Sequence, residues 1–307
     1  MESTHHIDQM LEAFVAESRF TETGGVVTDL DGTAVHEFED RIIVPEPVVK
    51  GLKALRDRGR PLVLNTLRFP LSVINTFGHA WYDISSAPVP LVSMNGSQFG
   101  YLTRTAKGAV GFEEIDAFPL ESEEVEAAIQ SVRAMLSDGI ADILLFHYPR
   151  DWTAGEIIWT PAPEKIPHVQ EKYRSASLVV SEPTEKLHER LLARPVCMIF
   201  LLVEVPADRL MAYQHSRPAN FITAKGTGKL AGSLAAAERL GFTLDQSLGA
   251  GDTKMDAFLE GVGLAVHVGP AELPFRGRLG TIKVTSSLDL GRLLFRLAGM
   301  HDGRTIL

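Results

Sequence analysis

Two aspartates one residue apart follow a short apolar run in the stretch Val26-Val27-Thr28-Asp29-Leu30-Asp31-Gly32-Thr33. The branched apolar residues read as the end of a buried strand. Carboxylates at the mouth of such a strand are costly unless something cationic sits between them. Gly32 then offers a turn conformation that most side chains avoid. Further polar groups stand at comparable places. Thr66 ends the run Pro61-Leu62-Val63-Leu64-Asn65-Thr66, and Lys229 opens a helical pattern after Gly228. Asp252 and Asp256 follow Ser247-Leu248-Gly249-Ala250-Gly251. Carboxylates, a hydroxyl and an ammonium suit a hard divalent cation such as Mg²⁺ beside a phosphate: oxygen ligands for the ion, donors for the phosphate oxygens.

For these groups to meet, the elements that carry them must lie side by side. Apolar residues at Ile7, Met10, Leu11, Phe14 and Val15 have helical spacing over residues 7–20. Residues 45–58 read as an amphipathic helix with Gly59 as its C-cap, between the opening strand and the strand that ends at Thr66. A helix from Pro70 towards Phe77 and a third strand at 91–96 follow. Strands alternating with helices point to a parallel α/β sheet with right-handed crossovers. In such sheets ligands bind outside the carboxyl ends of the strands, where the polar groups stand.

The rhythm then changes. Residues 98–103 and 110–115 read as a hairpin around Lys107-Gly108, followed by a Glu-rich helix at 121–136 and a strand pair at 142–148 and 156–160. A helix at 184–192 precedes the apolar strand that starts at Val196. The α/β rhythm resumes with a helix at 228–240 ended by Gly241, a helix from Met255, and strands at 264–268 and 281–284. The expected organisation is an N-terminal helical extension (1–20), a discontinuous core domain (21–96 and 218–307) and an inserted α+β domain (97–217).

The bulk numbers bound the function. A chain of 307 residues is long for one core. Its net charge of −9 argues against nucleic acid or an anionic membrane as the main partner. The single cysteine, Cys197, lies in an apolar run and reads as a buried structural thiol in a reducing compartment. No stretch approaches the length of a membrane span and the polar N-terminus does not resemble a signal peptide, so a cytoplasmic location is expected.

The polar groups, taken in order, form a known pattern. Asp29-Leu30-Asp31-Gly32-Thr33 resembles the first motif of the haloacid dehalogenase superfamily of phosphohydrolases, and Thr66-Leu67-Arg68 its second. Lys229 stands where the third motif has its lysine, and Gly251-Asp252-Thr253-Lys254-Met255-Asp256 resembles the fourth. A match to D-x-D-G-T arises by chance in a chain of this length with a probability of about 0.002, if all residues are equally frequent. The insertion after the third strand resembles that of subfamily IIB, the Cof-like sugar phosphatases with an α+β cap. Ser93-Met94-Asn95-Gly96 and residues 222–229 resemble the segments that flank it.

The resemblance implies a Rossmann-like parallel-sheet core with an inserted α+β cap. It implies a Mg²⁺-dependent phosphomonoester hydrolase acting through an aspartyl-phosphate on a small phosphorylated metabolite such as a sugar phosphate. Asp29 would be the nucleophile, Asp31 the acid and base, and Lys229 the charge-balancing cation. Thr66, Leu67, Arg68, Asn95 and Lys229 would contact phosphate or substrate. Mg²⁺ would be held by Asp29, the backbone carbonyl of Asp31, and Asp252, with Asp256 positioning or bridging through water. A phosphotransferase or phosphomutase of the same fold, or a relative that binds a phosphate ligand without turnover, are the alternatives. Met255 and Pro270 replace residues usual in that subfamily, and Leu67 replaces the second motif's usual Gly.

Two other nucleotide-binding patterns fail on their residues. The P-loop needs Gly where Thr223 stands and Ser or Thr where Leu230 stands, and the dinucleotide fingerprint needs Gly where Lys254 stands. His147, Tyr148, Arg150, Asp151 and Trp152 gather around the turn between the inserted domain's second strand pair, a natural place for a substrate-selecting element.

Overall fold

Short runs of buried aliphatic residues make parallel strands when helices cover both faces of the sheet, and the middle of this chain's larger sheet is built that way. The computed structural model describes residues 4–38, 41–203 and 221–301. In chain order its strands are β1 (Val26–Thr28), β2 (His36–Phe38), β3 (Arg41–Ile43), β4 (Leu62–Asn65), β5 (Val89–Ser93), β6 (Gln98–Arg104), β7 (Val110–Ala117) and β8 (Ile143–Pro149). They continue with β9 (Glu156–Trp159), β10 (Ala176–Val180), β11 (Val196–Val203), β12 (Phe221–Thr223), β13 (Leu248–Gly251), β14 (Leu264–Val268) and β15 (Gly280–Val284). Among the described residues, eight strands form one sheet in the order β15-β14-β13-β1-β4-β5-β6-β7, and five form another in the order β10-β9-β8-β11-β12.

Strand β1 is buried throughout and lies between β13 and β4, both parallel to it, with Thr28 in register with Ala250 and Leu64. Parallel pairing continues through β14 and β15 on one side and β5 on the other. The carboxyl ends of β1, β4 and β13 are therefore neighbours, and Asp29, Thr66 and Asp252 follow them directly. This is the α/β class expected from the alternating pattern.

The chain divides into two compact units. One holds the described residues within Met1–Arg68, Val73–Asp116 and Gly228–Leu307, and the other those within Phe69–Ser72 and Ala117–Thr227. The β6–β7 hairpin, expected in the inserted domain, instead extends the larger sheet. Strand β5 would otherwise be an open edge, and β6 reverses to pair with it antiparallel, Val92 opposite Phe99. The boundary expected between 217 and 218 lies outside the described residues.

In the first unit, the Glu46–Arg56 helix packs against a Ser287–His301 helix that the sequence reading did not anticipate. The Thr4–Glu17 helix buries Leu11 and Phe14, and Asp8 accepts a hydrogen bond from Arg296 at 2.9 Å. The expected extension is thus part of this unit. The helix from Pro70 does not stop at Phe77: it passes through a wide π-type turn, Ile74–Gly78, and continues to Ile84. The helix expected from Met255 is a single 3₁₀ turn, Ala257–Glu260. No helix among the described residues is long and apolar enough to cross a membrane.

After β5, Met94, Asn95 and Gly96 take φ values of 49°, 55° and 83° in succession. Left-handed backbone is uncommon for a side chain such as Met, and it is sustained only where surrounding packing fixes it. A Cβ at Gly96 would run into the Gly228 carbonyl, so the turn sits against the start of the Lys229–Leu240 helix.

The second unit lays the Ser122–Ser137 and Thr184–Ala193 helices on one face of its sheet, around Val125, Ile129, Leu145, Trp159, Leu187 and Ile199. The Ile166–Lys172 helix and β10 are further elements the sequence reading missed. On β8, Phe146 packs against Phe200 and Tyr173 with ring centres 5.3 and 5.0 Å away, and Phe200 stacks on Phe221 at 4.6 Å. His147 alternates to the helix-bearing face shared by Leu145. It is 2% exposed, neither ring nitrogen has a partner, and burial pushes its imidazole down to about 4.

Two stability predictions follow from this packing. Gly108 also has positive φ (80°), but a Cβ there meets nothing. Gly108→Ala should cost about 1 kcal/mol of backbone strain, whereas Gly96→Ala adds the collision with Gly228 and should cost about 3 kcal/mol. Equal losses in thermal unfolding would remove the packing role given to Gly96. His147 titrates at about 4 in the fold against about 6.5 in an unfolded chain, so the unfolded state takes up the proton first as pH falls. The stability held by neutral His147 is complete above about pH 6.5 and is lost as pH falls towards about 4, roughly 3 kcal/mol over the window. His147→Leu should lose less stability than the parent between about pH 7 and about pH 4.5 in urea titrations; an unchanged pH dependence counts against it.

Candidate active site

The end of β1 sets the first carboxylate. Asp29 stays in the ladder, its N–H donating to the Ala250 carbonyl at 3.0 Å. The Leu30 carbonyl then accepts from the N–H groups of Thr33, Ala34 and Val35 at 3.2, 3.0 and 3.0 Å, so the chain coils away from the sheet. Gly32 turns with φ 72°, and a Cβ there would collide with the Asp252 carboxylate. The Thr33 hydroxyl donates to Asp252 Oδ1 at 3.1 Å. The same turn that separates Asp29 from Asp31 therefore also seats Asp252.

Lys229 joins the strand ends. Its Nζ donates to Asp29 Oδ1 and to Asp256 Oδ1, both at 2.7 Å, with the lysine side chain 2% exposed. Burial pushes Asp29 up to about 7, and the neighbouring ammonium opposes that rise. Burial would lower the Lys229 ammonium, but the charges of Asp29 and Asp256 outweigh it and hold the group above its ordinary value. The other Asp256 oxygen, Oδ2, accepts from the N–H groups of Asp252 (3.0 Å) and Thr253 (2.9 Å) and from the Thr253 hydroxyl (3.3 Å). Both Asp256 oxygens are engaged, one fixing the lysine and the other fixing the turn that presents Asp252.

The lysine's helix is itself tied down. Asn65, the last residue of β4, donates through Nδ2 to the Lys229 carbonyl (2.8 Å) and to Ser233 Oγ (2.7 Å). Sequence reasoning gave Asn65 and Thr33 no role of their own. The available signal was a polar side chain inside an otherwise apolar strand just before Thr66.

Thr66 is buried, with its N–H on the Val92 carbonyl (2.9 Å) and its hydroxyl accepting from the Arg68 N–H (3.2 Å). Partly buried Leu67 links the two. Arg68 grips Asp31 with two hydrogen bonds, Nε to Oδ2 at 2.7 Å and Nη2 to Oδ1 at 2.9 Å, and its guanidinium lies 4.9 Å from the centre of the Phe77 ring. The strained turn after β5 leans on the same loop: Met94 N–H donates to the Arg68 carbonyl (3.2 Å) and Asn95 N–H to the Thr66 carbonyl (3.4 Å). Asp31 is half exposed at its side chain, where Asp29 is buried.

Oxygens of Asp29, Asp252 and Asp256 lie within 4.8 Å of one another. Burial and the nearby Asp256 charge both raise Asp252. Three close carboxylates with one ammonium among them retain excess negative charge, and their all-oxygen donor set fits a hard divalent cation. Both Asp256 oxygens are engaged, so the groups suited to hold such an ion are Asp29, through the oxygen Lys229 leaves open, and Asp252.

In the second unit, the group from His147 to Trp152 is divided rather than gathered. His147 faces the helices, while the Tyr148 hydroxyl donates to buried Glu156 at 2.7 Å. Asp151 caps the short Trp152–Ala154 turn, accepting from the Thr153 N–H at 3.1 Å.

No protein-family model matches the chain, and no curated protein matches it by sequence. Solved structures do match its fold. The HAD subclass IIB sugar phosphatase BT4131 aligns with a TM-score of 0.62 at 18% identity, over 92% of this chain and 99% of its own. A haloacid dehalogenase-like hydrolase from Bacteroides thetaiotaomicron aligns at 0.62 and 16% identity, over 90% of this chain and 100% of its own. The phosphatase BT1666 from the same organism aligns at 0.61 and 15% identity, over 92% and 96%. The chain therefore has the fold of the haloacid dehalogenase superfamily, in the form shared by its subclass IIB phosphatases.

Proposed function

We propose that the protein is a Mg²⁺-dependent phosphomonoester hydrolase that works through an aspartyl-phosphate on a small phosphorylated metabolite, most simply a sugar phosphate. The observation that carries this reading is the buried Asp29–Lys229–Asp256 arrangement beside Asp252. The substrate class is supported by the fold shared with a sugar phosphatase.

Phosphate monoesters are among the slowest bonds to hydrolyse unaided, so positioning and charge neutralisation must supply most of the acceleration. Asp29 attacks phosphorus with one carboxylate oxygen, forming the acyl-phosphate bond as the ester P–O bond breaks. Asp31 gives its proton to the departing alkoxide, then takes a proton from water. That water attacks phosphorus, releasing inorganic phosphate and restoring the Asp29 carboxylate. Asp31 suits the proton's path because it is half exposed; Arg68, which occupies both of its oxygens here, must turn to the substrate phosphate before Asp31 can carry a proton. Lys229 opposes the rise that burial imposes on Asp29 and so favours its attacking carboxylate form, and the Thr66 hydroxyl, whose oxygen already accepts from the Arg68 N–H, has its own proton to give to a phosphate oxygen. Asp29, Asp252 and the Asp31 backbone carbonyl are assigned to Mg²⁺, with Asp256 as their anchor. The ion they would hold would supply Lewis-acid stabilisation that lowers the repulsion between carboxylate and phosphate.

Two experiments test this. Hydrolysis of p-nitrophenyl phosphate should require Mg²⁺, stop with EDTA, and fall at least about a thousandfold in Asp29→Asn. Activity that survives Asp29→Asn or EDTA would falsify the mechanism, and a panel of sugar phosphates tests the substrate class. Thr33→Val should weaken apparent Mg²⁺ affinity about 10- to 100-fold by freeing Asp252, with kcat largely recovered at saturating Mg²⁺. An unchanged Mg²⁺ titration curve for Thr33→Val would show that the Thr33–Asp252 bond does not orient the ligand.

A further inference from the structure

At the amino ends of β4 and β5 lies a cavity of about 260 Å³ whose lining includes Arg56, Arg60, Trp81 and Ser85 beside apolar Pro61 and Ile84. No lining residue is acidic. Arg60 spends one terminal nitrogen on the carbonyls of Phe20 (2.8 Å) and Gly24 (3.2 Å), while its Nε is buried without a partner. Among the described residues no carboxylate pairs with Arg60, and burial pulls its guanidinium below the usual range. Trp81 is 1% exposed and its indole N–H is likewise unmatched. Arg56 reaches Ser86 Oγ at 2.6 Å and has only a long contact, 3.4 Å, to Asp57.

Buried polar groups in folded proteins are matched, and each exception calls for an explanation. Here two unmatched donors come from residues that border one cavity, together with two guanidiniums and no acid. A lining that carries two guanidiniums and no acid suits a partner with negative charge. The apolar part of the lining gives it a body as well as a head. Sites for drug-sized ligands begin at about 300 Å³, so this cavity suits a body of about one ring. We propose that it binds a small amphipathic anion, a carboxylate or phosphate-type head held by Arg56 and Arg60, with its apolar body against Pro61, Ile84 and the Trp81 ring. The cavity lies at the opposite strand ends from Asp29 and Thr66 and does not rest on the phosphatase reading.

The chain has three tryptophans, so the indole N–H resonances of the full ¹⁵N-labelled protein report on the site directly. Assignment comes by elimination with Trp152→Phe and Trp159→Phe. Benzoate and phenylphosphonate should each move the Trp81 resonance saturably and leave the other two in place, in the parent and in Asp29→Asn alike. The tighter of the two identifies the head group. Inorganic sulfate, with no apolar body, should bind at least about tenfold more weakly. Arg56→Met should weaken benzoate by at least about tenfold, with an unchanged thermal unfolding midpoint showing an intact fold. A Trp81 resonance that responds to none of the three anions overturns the proposal. So does unchanged affinity in Arg56→Met, or sulfate binding as tightly as benzoate.

Discussion

A lysine ammonium shut away from water between two carboxylates is the interaction on which the rest of the first unit depends. Removing three charges from solvent is expensive, and geometry must return that cost. The 2.7 Å bonds from Lys229 to Asp29 and Asp256 do so only because four separate stretches arrive together. Strand β1 brings Asp29, the loop after β13 brings Asp256, the helix start brings Lys229, and Asn65 at the end of β4 ties that start down. Gly96 then allows the turn after β5 to close against Gly228. Losing Asp29, Asp256 or Lys229 leaves a buried charge without its partner, a far larger penalty than the loss of an exposed ion pair.

The same constraint explains what could be read from the chain and what could not. The acids were legible because residue type and spacing are local: Asp29 and Asp31 flank one residue, and Asp252 and Asp256 share one turn. Lys229 stands 200 positions from Asp29, and only the expected chemistry linked them. Asn65 was illegible as a tether because its bonds to Lys229 and Ser233 join distant segments, and its type says nothing about which. The loop at Met255 has an apolar pattern that suits a helix, yet Asp256 Oδ2 takes the Asp252 and Thr253 N–H groups for a tight turn instead. Local bonds from a side chain to the backbone three and four residues back overrode the helical preference there.

Placement of the β6–β7 hairpin failed for a different reason. Alternating apolar residues show that two strands pair, but not which sheet they join. What decides is an open edge at β5 and a turn able to reverse the chain within three residues, Met94 to Gly96, all left-handed. Met94 has a side chain that disfavours that backbone, so the turn is held by its neighbours: the Thr66 and Arg68 carbonyls and the Gly228 backbone. His147 and Tyr148, rightly read as strand residues, were grouped with the following turn as one substrate-selecting element. His147 and Tyr148 are strand residues facing opposite ways, and each solves its own burial, one by staying neutral and the other by bonding Glu156.

The most informative contrast is between the two aspartates that open the site. Had β1 continued, residues two apart would share a face and an environment. Instead the chain leaves the sheet at Leu30, whose carbonyl collects three N–H groups, and the carboxylates part. Asp29 stays in the dry network, raised to about 7 by burial and held by Lys229. Asp31 emerges, half exposed and clamped by Arg68. Neighbouring titratable groups pushed into unlike surroundings are how one site separates acid from base work. In the proposed mechanism, a nucleophile at Asp29 would gain from exclusion of water, whereas a proton carrier at Asp31 would have to meet solvent. The coil around Leu30, made possible by Gly32, is what lets one short motif meet both requirements.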